Sequence, residues 1–185
     1  MDIEKNYEIY IEKLKKLGID TEVLDYSYGD IIKKATFSPT TDSGMCGEGS
    51  LIEVVLKILT PYAVRLNELL PENMRVDKNE LVKICLLHQI AKAKRLVPND
   101  NQWEIEKRGI VFKYDASQPS IRTGLHSLMM CINCGIMFTP EESEAMTVND
   151  RDLTDMQSRY HSSILASIVR QANEMAYMQL NAKII

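Results

Sequence analysis

Residues 81–93 read Leu-Val-Lys-Ile-Cys-Leu-Leu-His-Gln-Ile-Ala-Lys-Ala, an apolar run with two adjacent polar side chains, His88 and Gln89, near its centre. An imidazole can ligate a metal or move a proton. An amide can donate and accept hydrogen bonds without carrying charge. Asp77 and Glu80 precede the run at capping-box spacing. Leu81, Ile84, Cys85, His88 and Ala91 recur at helical intervals, so the pair is expected on an inward face. A hydrogen-bonded core pair is the plain account of such residues. A functional site is the sharper one.

Other residues with chemical potential are more scattered. Cys131-Ile-Asn-Cys134 is a single CxxC, without the second pair of a zinc ribbon or the βαβ setting of a thioredoxin-like site. With Cys46 and Cys85 isolated, all four cysteines are expected as reduced thiols in ordinary packing. His126 and His161 are expected to be surface or satisfied side chains. Gly44, Gly47 and Gly49 surround Cys46, but no Gly-Lys-Ser/Thr follows, so loop flexibility explains them better than a phosphate loop. Most methionines are expected as core filler, with Met129, Met130 and Met137 as candidates for an adaptable surface.

The elements that must position these groups are helical. The chain has 185 residues, 45% hydrophobic, enough for one domain with its own core. Its net charge of -4 has both signs mixed along the chain, which argues against a strong nonspecific nucleic-acid binder. No run reaches membrane-spanning length and no signal-peptide pattern opens the chain, so a cytoplasmic protein is expected. A first helix is expected over 2–17, stopped by Gly18, and a second over 21–34, with a possible break at Gly29. Residues 36–49 read as a long loop, of a length that is often functional. A helix over 50–70 carries Pro61, which predicts a kink or break. The His88 helix is expected over 78–96.

Trp103, Ile105 and Val111 alternate with polar residues around Lys107-Arg108-Gly109, which predicts a β-hairpin near 102–114. Helices are then expected over 124–134, closed by Gly135, and over 140–148, opened by Thr139-Pro140-Glu141-Glu142. Residues 149–154 read as loop and 155–180 as the last helix. The expected fold class is all-α, with one small hairpin inserted.

The run around His88 resembles the signature helix of the HD-domain metal-dependent phosphohydrolases, in which the pair is His-Asp. The resemblance covers about residues 30–180, through motifs that are individually short but ordered. Lys34-Ala-Thr-Phe-Ser-Pro-Thr-Thr followed by Glu48-Gly-Ser-Leu-Ile-Glu-Val-Val-Leu is similar to the family's entry loop and first ligand helix, with Val54 in place of a histidine. Arg122-Thr-Gly-Leu-His-Ser resembles a His-Gly-Glu-Lys-Ser segment and puts Thr123 on a histidine. Phe138-Thr-Pro-Glu-Glu resembles the segment leading to another histidine, here Asn149. Gln171-Ala-Asn-Glu-Met-Ala resembles the closing Ala-Asp motif, so Asn173 replaces the last aspartate. The hairpin expected near Trp103 also has a counterpart in one branch of the family.

The resemblance implies an HD-like helical bundle spanning 1–185 as a single domain, with a metal centre whose bound water attacks phosphorus. The residues depart from that chemistry. Of Val54, His88, Gln89, Thr123, Asn149 and Asn173, only His88 is an ordinary metal ligand. Without a cation a buried carboxylate is costly, whereas neutral amides can bond each other or His88. The expectation is a non-catalytic binding or regulatory module without cofactor, with a nucleotide or a protein as candidate partner. One alternative is a phosphohydrolase of nucleotides or nucleic-acid ends with an atypical divalent-metal site drawing on Glu48, Glu53, Asp150 or Glu174. Another is a structural component of an assembly.

Overall fold

The computed structural model describes residues 2–43, 45–150 and 162–181. It is mostly helical with one two-stranded antiparallel sheet. Helix α1 spans Ile3–Lys16 and α2 spans Glu22–Lys34. Helix α3 is continuous through Ser50–Val54, Val55–Leu59 and Thr60–Leu69. Helix α4 spans Lys78–Leu87, α5 Lys92–Arg95, α6 Gln102–Arg108, α7 Thr123–Asn133, α8 Pro140–Thr147 and α9 Ile164–Asn181. Strands β1 (Leu96–Pro98) and β2 (Phe112–Tyr114) flank α6. Among the described residues, no helix is long and apolar enough to cross a membrane.

Apolar periodicity builds the centre. Leu81, Ile84 and Leu87 on α4, Leu51, Val54 and Leu59 on α3, and Leu165, Val169, Ala172 and Ala176 on α9 are nearly or fully buried in one cluster. Each such leucine or valine contributes about 1.5–3 kcal/mol through removal from water. Helix α9 packs on α3, α4 and α8, while α1 and α2 cover the beginning of α3. Tyr10 on α1 is buried and its hydroxyl donates to Leu86 O at 3.1 Å, which fixes α1 against α4. Lys83 Nζ lies 2.9 Å from both Glu142 carboxylate oxygens and 2.7 Å from Met137 O, linking α4 to the start of α8.

Several ends lie where local chemistry puts them. Asp77 accepts from Asn79 N and Glu80 N at 2.8 and 3.0 Å. Thr139 and Glu142 form a reciprocal capping box. Gly135, just past α7, has the left-handed φ of 79° that its C-terminal position favours. The last helix begins at Ile164; residues 155–161 of its expected span lie outside the described residues.

Three expectations need correction, and a fourth stands in part. Pro61, for which a kink or a break is expected, does not break its helix. The turn before it widens, so that Thr60 N donates to Val55 O, five residues back. This π-helical turn accommodates a residue that lacks an N–H and whose ring clashes with an ordinary α turn. Gly29 does not break α2 either. A side chain there would collide with Asp25 and Tyr7, whose hydroxyl donates to Asp25 Oδ1 at 2.5 Å.

The His88 helix is not one rod from 78 to 96. It closes at His88 and tightens, with Ile90 N donating to Leu87 O, Lys92 N to Gln89 O and Ala93 N to Ile90 O. These are three-residue steps, and Ala91 N leaves the ladder to donate to Ser127 Oγ at 3.0 Å.

The hairpin over 102–114 is also different. Residues 102–108 are helical because Asn101 accepts from Glu104 N at 3.3 Å, and Gly109 at φ 62° closes the C-terminus. Two alternating residues, Trp103 and Ile105, carry less weight than those two caps. The strand partner of β2 lies before α6, with Leu96 opposite Tyr114 and Pro98 opposite Phe112.

Gly109→Ala should therefore lower stability by about 1–2 kcal/mol, because it forces a Cβ into left-handed backbone and against the Thr41 hydroxyl. Urea unfolding of the variant checks this. An unchanged midpoint would contradict the helical cap.

Candidate functional site

The site is assembled where α4 ends. His88 is 2% exposed, and its Nδ1 lies 3.1 Å from Ile84 O. A proton on Nδ1 lets it donate to that carbonyl and leaves Nε2 as an acceptor. Gln89 supplies the matching donor, with its Nε2 3.1 Å from His88 Nε2. The other proton of the same amide nitrogen goes to Asn173 Oδ1 on α9. Burial drives the His88 pKa down to about 4, against the Ile84 carbonyl bond that would raise it; Lys92 lowers it further. The ring is neutral at ordinary pH. The remaining Gln89 oxygen, Oε1, is buried without a hydrogen-bond partner.

These groups form one wall of a pocket of about 230 Å³. Thr123 and Gly124 line it from the start of α7, and Asn149 and Asp150 from the turn after α8. Asn173 and Tyr177 contribute from α9, Tyr114 from β2 and Lys92 from α5. Five of the six positions singled out in the sequence, His88, Gln89, Thr123, Asn149 and Asn173, thus share one pocket. Val54 is not part of this lining. It is fully buried in the hydrophobic cluster, as suits a side chain with no polar atom.

The nearby carboxylates have separate commitments. Glu53 pairs with Lys57 at 2.8 Å and Glu174 with Arg170 at 3.0 Å, both along their own helices. Glu48 is exposed. Asp150 does line the pocket, but its oxygens accept from Gly124 N at 2.9 Å and Leu125 N at 2.7 Å. It therefore caps α7, where a negative charge meets unpaired N–H groups. Among the described residues, no group of three or more His, Cys, Asp or Glu side chains gathers in a way that could hold a metal ion.

Lys92 is one of the pocket residues that the sequence does not single out, with Tyr114, Gly124, Met146 and Tyr177. Its Nζ lies 2.9 Å from both Phe37 O and the Tyr177 hydroxyl, and 3.7 Å from the Phe37 ring centroid. Burial lowers its pKa to about 7. Its spacing from His88 gives no signal, since the α-helix closes at His88 and the chain continues in three-residue steps. His126 is corrected too: it is buried, its Nδ1 lacks a partner, and burial next to Lys94 and Arg95 holds its pKa down. His161 lies outside the described residues. All four cysteines are free, and burial raises the thiol pKa values of Cys85 and Cys131. Met130 is in the core, while Met129 and Met137 are exposed.

Two outcomes follow from the neutral cluster. Gln89→Leu should cost about 1–2 kcal/mol, since His88 Nε2 and Asn173 Oδ1 both lose their donor while apolar burial is gained. Gln89→Asp should cost more near neutral pH, because the introduced carboxylate would face those two acceptors. Thermal melts with and without manganese rank the two variants. Greater stability for Gln89→Asp without metal would mean that positive charge already occupies the centre.

The second outcome is a pH dependence. The folded-state pKa of His88 lies near 4, below its ordinary value of 6.5. The unfolded chain therefore binds the proton more readily between those values. Stability contributed by the neutral ring is present above 6.5 and lost as pH falls toward 4, by about 3 kcal/mol across the window. Urea unfolding at neutral and acid pH should show a smaller acid loss for His88→Gln than for the parent chain; equal losses would contradict a buried neutral imidazole.

No known protein family matches the chain, and neither does any curated protein or solved structure.

Proposed function

We propose that this chain is a non-catalytic homologue of the HD-domain phosphohydrolases, a binding or regulatory module that uses the inherited pocket without a metal. The observation that carries the reading is the shared lining of His88, Gln89, Thr123, Asn149 and Asn173, which are spread over 86 residue positions from 88 to 173. Those are five of the six positions at which the resemblance places ligands; the sixth, Val54, lies in the hydrophobic core. What they offer is one imidazole, three amides and one hydroxyl, with His88, Gln89 and Asn173 joined in a neutral hydrogen-bonded chain. Such a lining suits a small polar ligand recognised by hydrogen bonds, a nucleotide being one candidate.

A phosphohydrolase with an atypical ligand set is the second reading. It draws on Asp150, the carboxylate among the pocket's lining residues. That carboxylate would have to release two backbone N–H groups to bind a cation, leaving the first turn of α7 without those acceptors.

The deciding measurement is elemental analysis of protein expressed in metal-supplemented medium. The expected result is no stoichiometric iron, manganese, zinc or nickel. Close to one equivalent of any of them per chain would overturn the first reading and favour the second.

A further inference from the structure

We propose that Lys92 is a reactive amine that condenses with the carbonyl group of a small aldehyde or ketone held in the pocket. The proposal deepens the reading of this pocket as a metal-free ligand site and rests on it. Three features of the geometry carry it. Lys92 lines a cavity of about 230 Å³, room enough for a small metabolite. Its polar contacts are a backbone carbonyl and a phenol, Phe37 O and Tyr177 Oη, both at 2.9 Å. The pocket carboxylate, Asp150, is committed to the first N–H groups of α7. Among the described residues, Lys92 thus makes no ion pair that would hold it as an ammonium.

Two aromatic rings, Phe37 at 3.7 Å and Tyr177 at 5.4 Å from Nζ, stabilise a cation in part. Burial nevertheless dominates and brings the amine to about 7, from an ordinary 10.5. At neutral pH this raises the share of free amine on the order of a thousandfold over an exposed lysine. The titratable groups that share the pocket are His88, neutral there, Asp150, Tyr114 and Tyr177. With its two N–H groups donating to Phe37 O and Tyr177 Oη, the neutral amine has a lone pair that neither bond uses.

The condensation balances without an added oxidant or reductant. The nitrogen lone pair attacks the carbonyl carbon and the C=O π pair moves to oxygen. A proton from nitrogen reaches that oxygen by way of the Tyr177 hydroxyl, whose own pKa is raised by burial to about 12, so that it remains protonated. The remaining N–H proton passes to the hydroxyl as the C–O bond breaks, water leaves with that electron pair, and the pair freed on nitrogen forms the C=N bond. The sum is amine plus carbonyl giving imine plus water.

Formaldehyde with cyanoborohydride tests the proposal on the intact chain, because the smallest aldehyde enters any open pocket and the hydride fixes the imine as a methylamine. Brief treatment near neutral pH, followed by peptide mass mapping, gives a rate for each lysine. Lys92 should be methylated about tenfold faster than the exposed Lys5 and Lys15. A rate equal to theirs, or no modification of Lys92, overturns the proposal, since the amine would then be either protonated or closed to ligand. Such a failure leaves the metal measurement untouched. Stoichiometric metal, by contrast, would overturn the metal-free reading whatever Lys92 does.

Discussion

A single amide nitrogen holds the centre of this molecule together. Gln89 Nε2 donates to His88 at the end of α4 and to Asn173 in the middle of α9, joining residues 84 positions apart. Every partner is neutral, and the surrounding core is apolar. In that setting the hydrogen bonds matter less for what they add than for what they prevent, because an unpaired amide N–H or imidazole nitrogen buried here would cost about 1–3 kcal/mol, a cost that Gln89 Oε1 still carries. The chain must tighten after Leu87 for two consecutive residues, His88 and Gln89, both to reach this wall. Ser127 helps by taking the N–H of Ala91 that an uninterrupted α-helix would have used.

The loop before α3 belongs to the same arrangement. Ser50 Oγ accepts from Phe37 N at 2.9 Å and donates to Gly47 O at 2.7 Å. Thr36 Oγ1 donates to Ser38 O at 2.7 Å and accepts from Gly47 N at 3.1 Å. These bonds replace the regular ladder that a loop lacks. They set the Phe37 carbonyl and ring against Lys92, while Phe37 also packs on Tyr177 with ring centroids 4.9 Å apart. The segment that composition marks as a long loop therefore forms part of the surroundings of the pocket amine.

What could be read from the sequence was chiefly what short-range chemistry determines. Thr139 with Glu142, Asp77 before α4, and Gly18 and Gly135 after their helices each carry their own geometric reason. The convergence of His88, Gln89, Thr123, Asn149 and Asn173 on one pocket came through ordered motifs, not periodicity. The departures have different causes. At the His88 turn a distant group decides, since Ser127 takes the N–H of Ala91; in the expected hairpin the caps Asn101 and Gly109 make residues 102–108 helical, and β2 pairs with β1 instead. Lys92 was missed because its value lies in its surroundings. A lysine code says nothing of Phe37, 55 positions away, or of burial that lowers its charge.

The widened turn from Val55 to Leu59 has a consequence for how this chain is compared with others. A π turn lodges one more residue in a helix than the same rise would need in α form. Side chains before it and after it are consequently out of phase by about 100° relative to an unbroken α-helix. Matching this helix without a gap to one that lacks the turn can bring Leu51 and Val54 into correspondence, or Ala63 and Asn67, but not both pairs together. A gap of one position inside a helix, ordinarily a sign of misalignment, is here what the backbone requires.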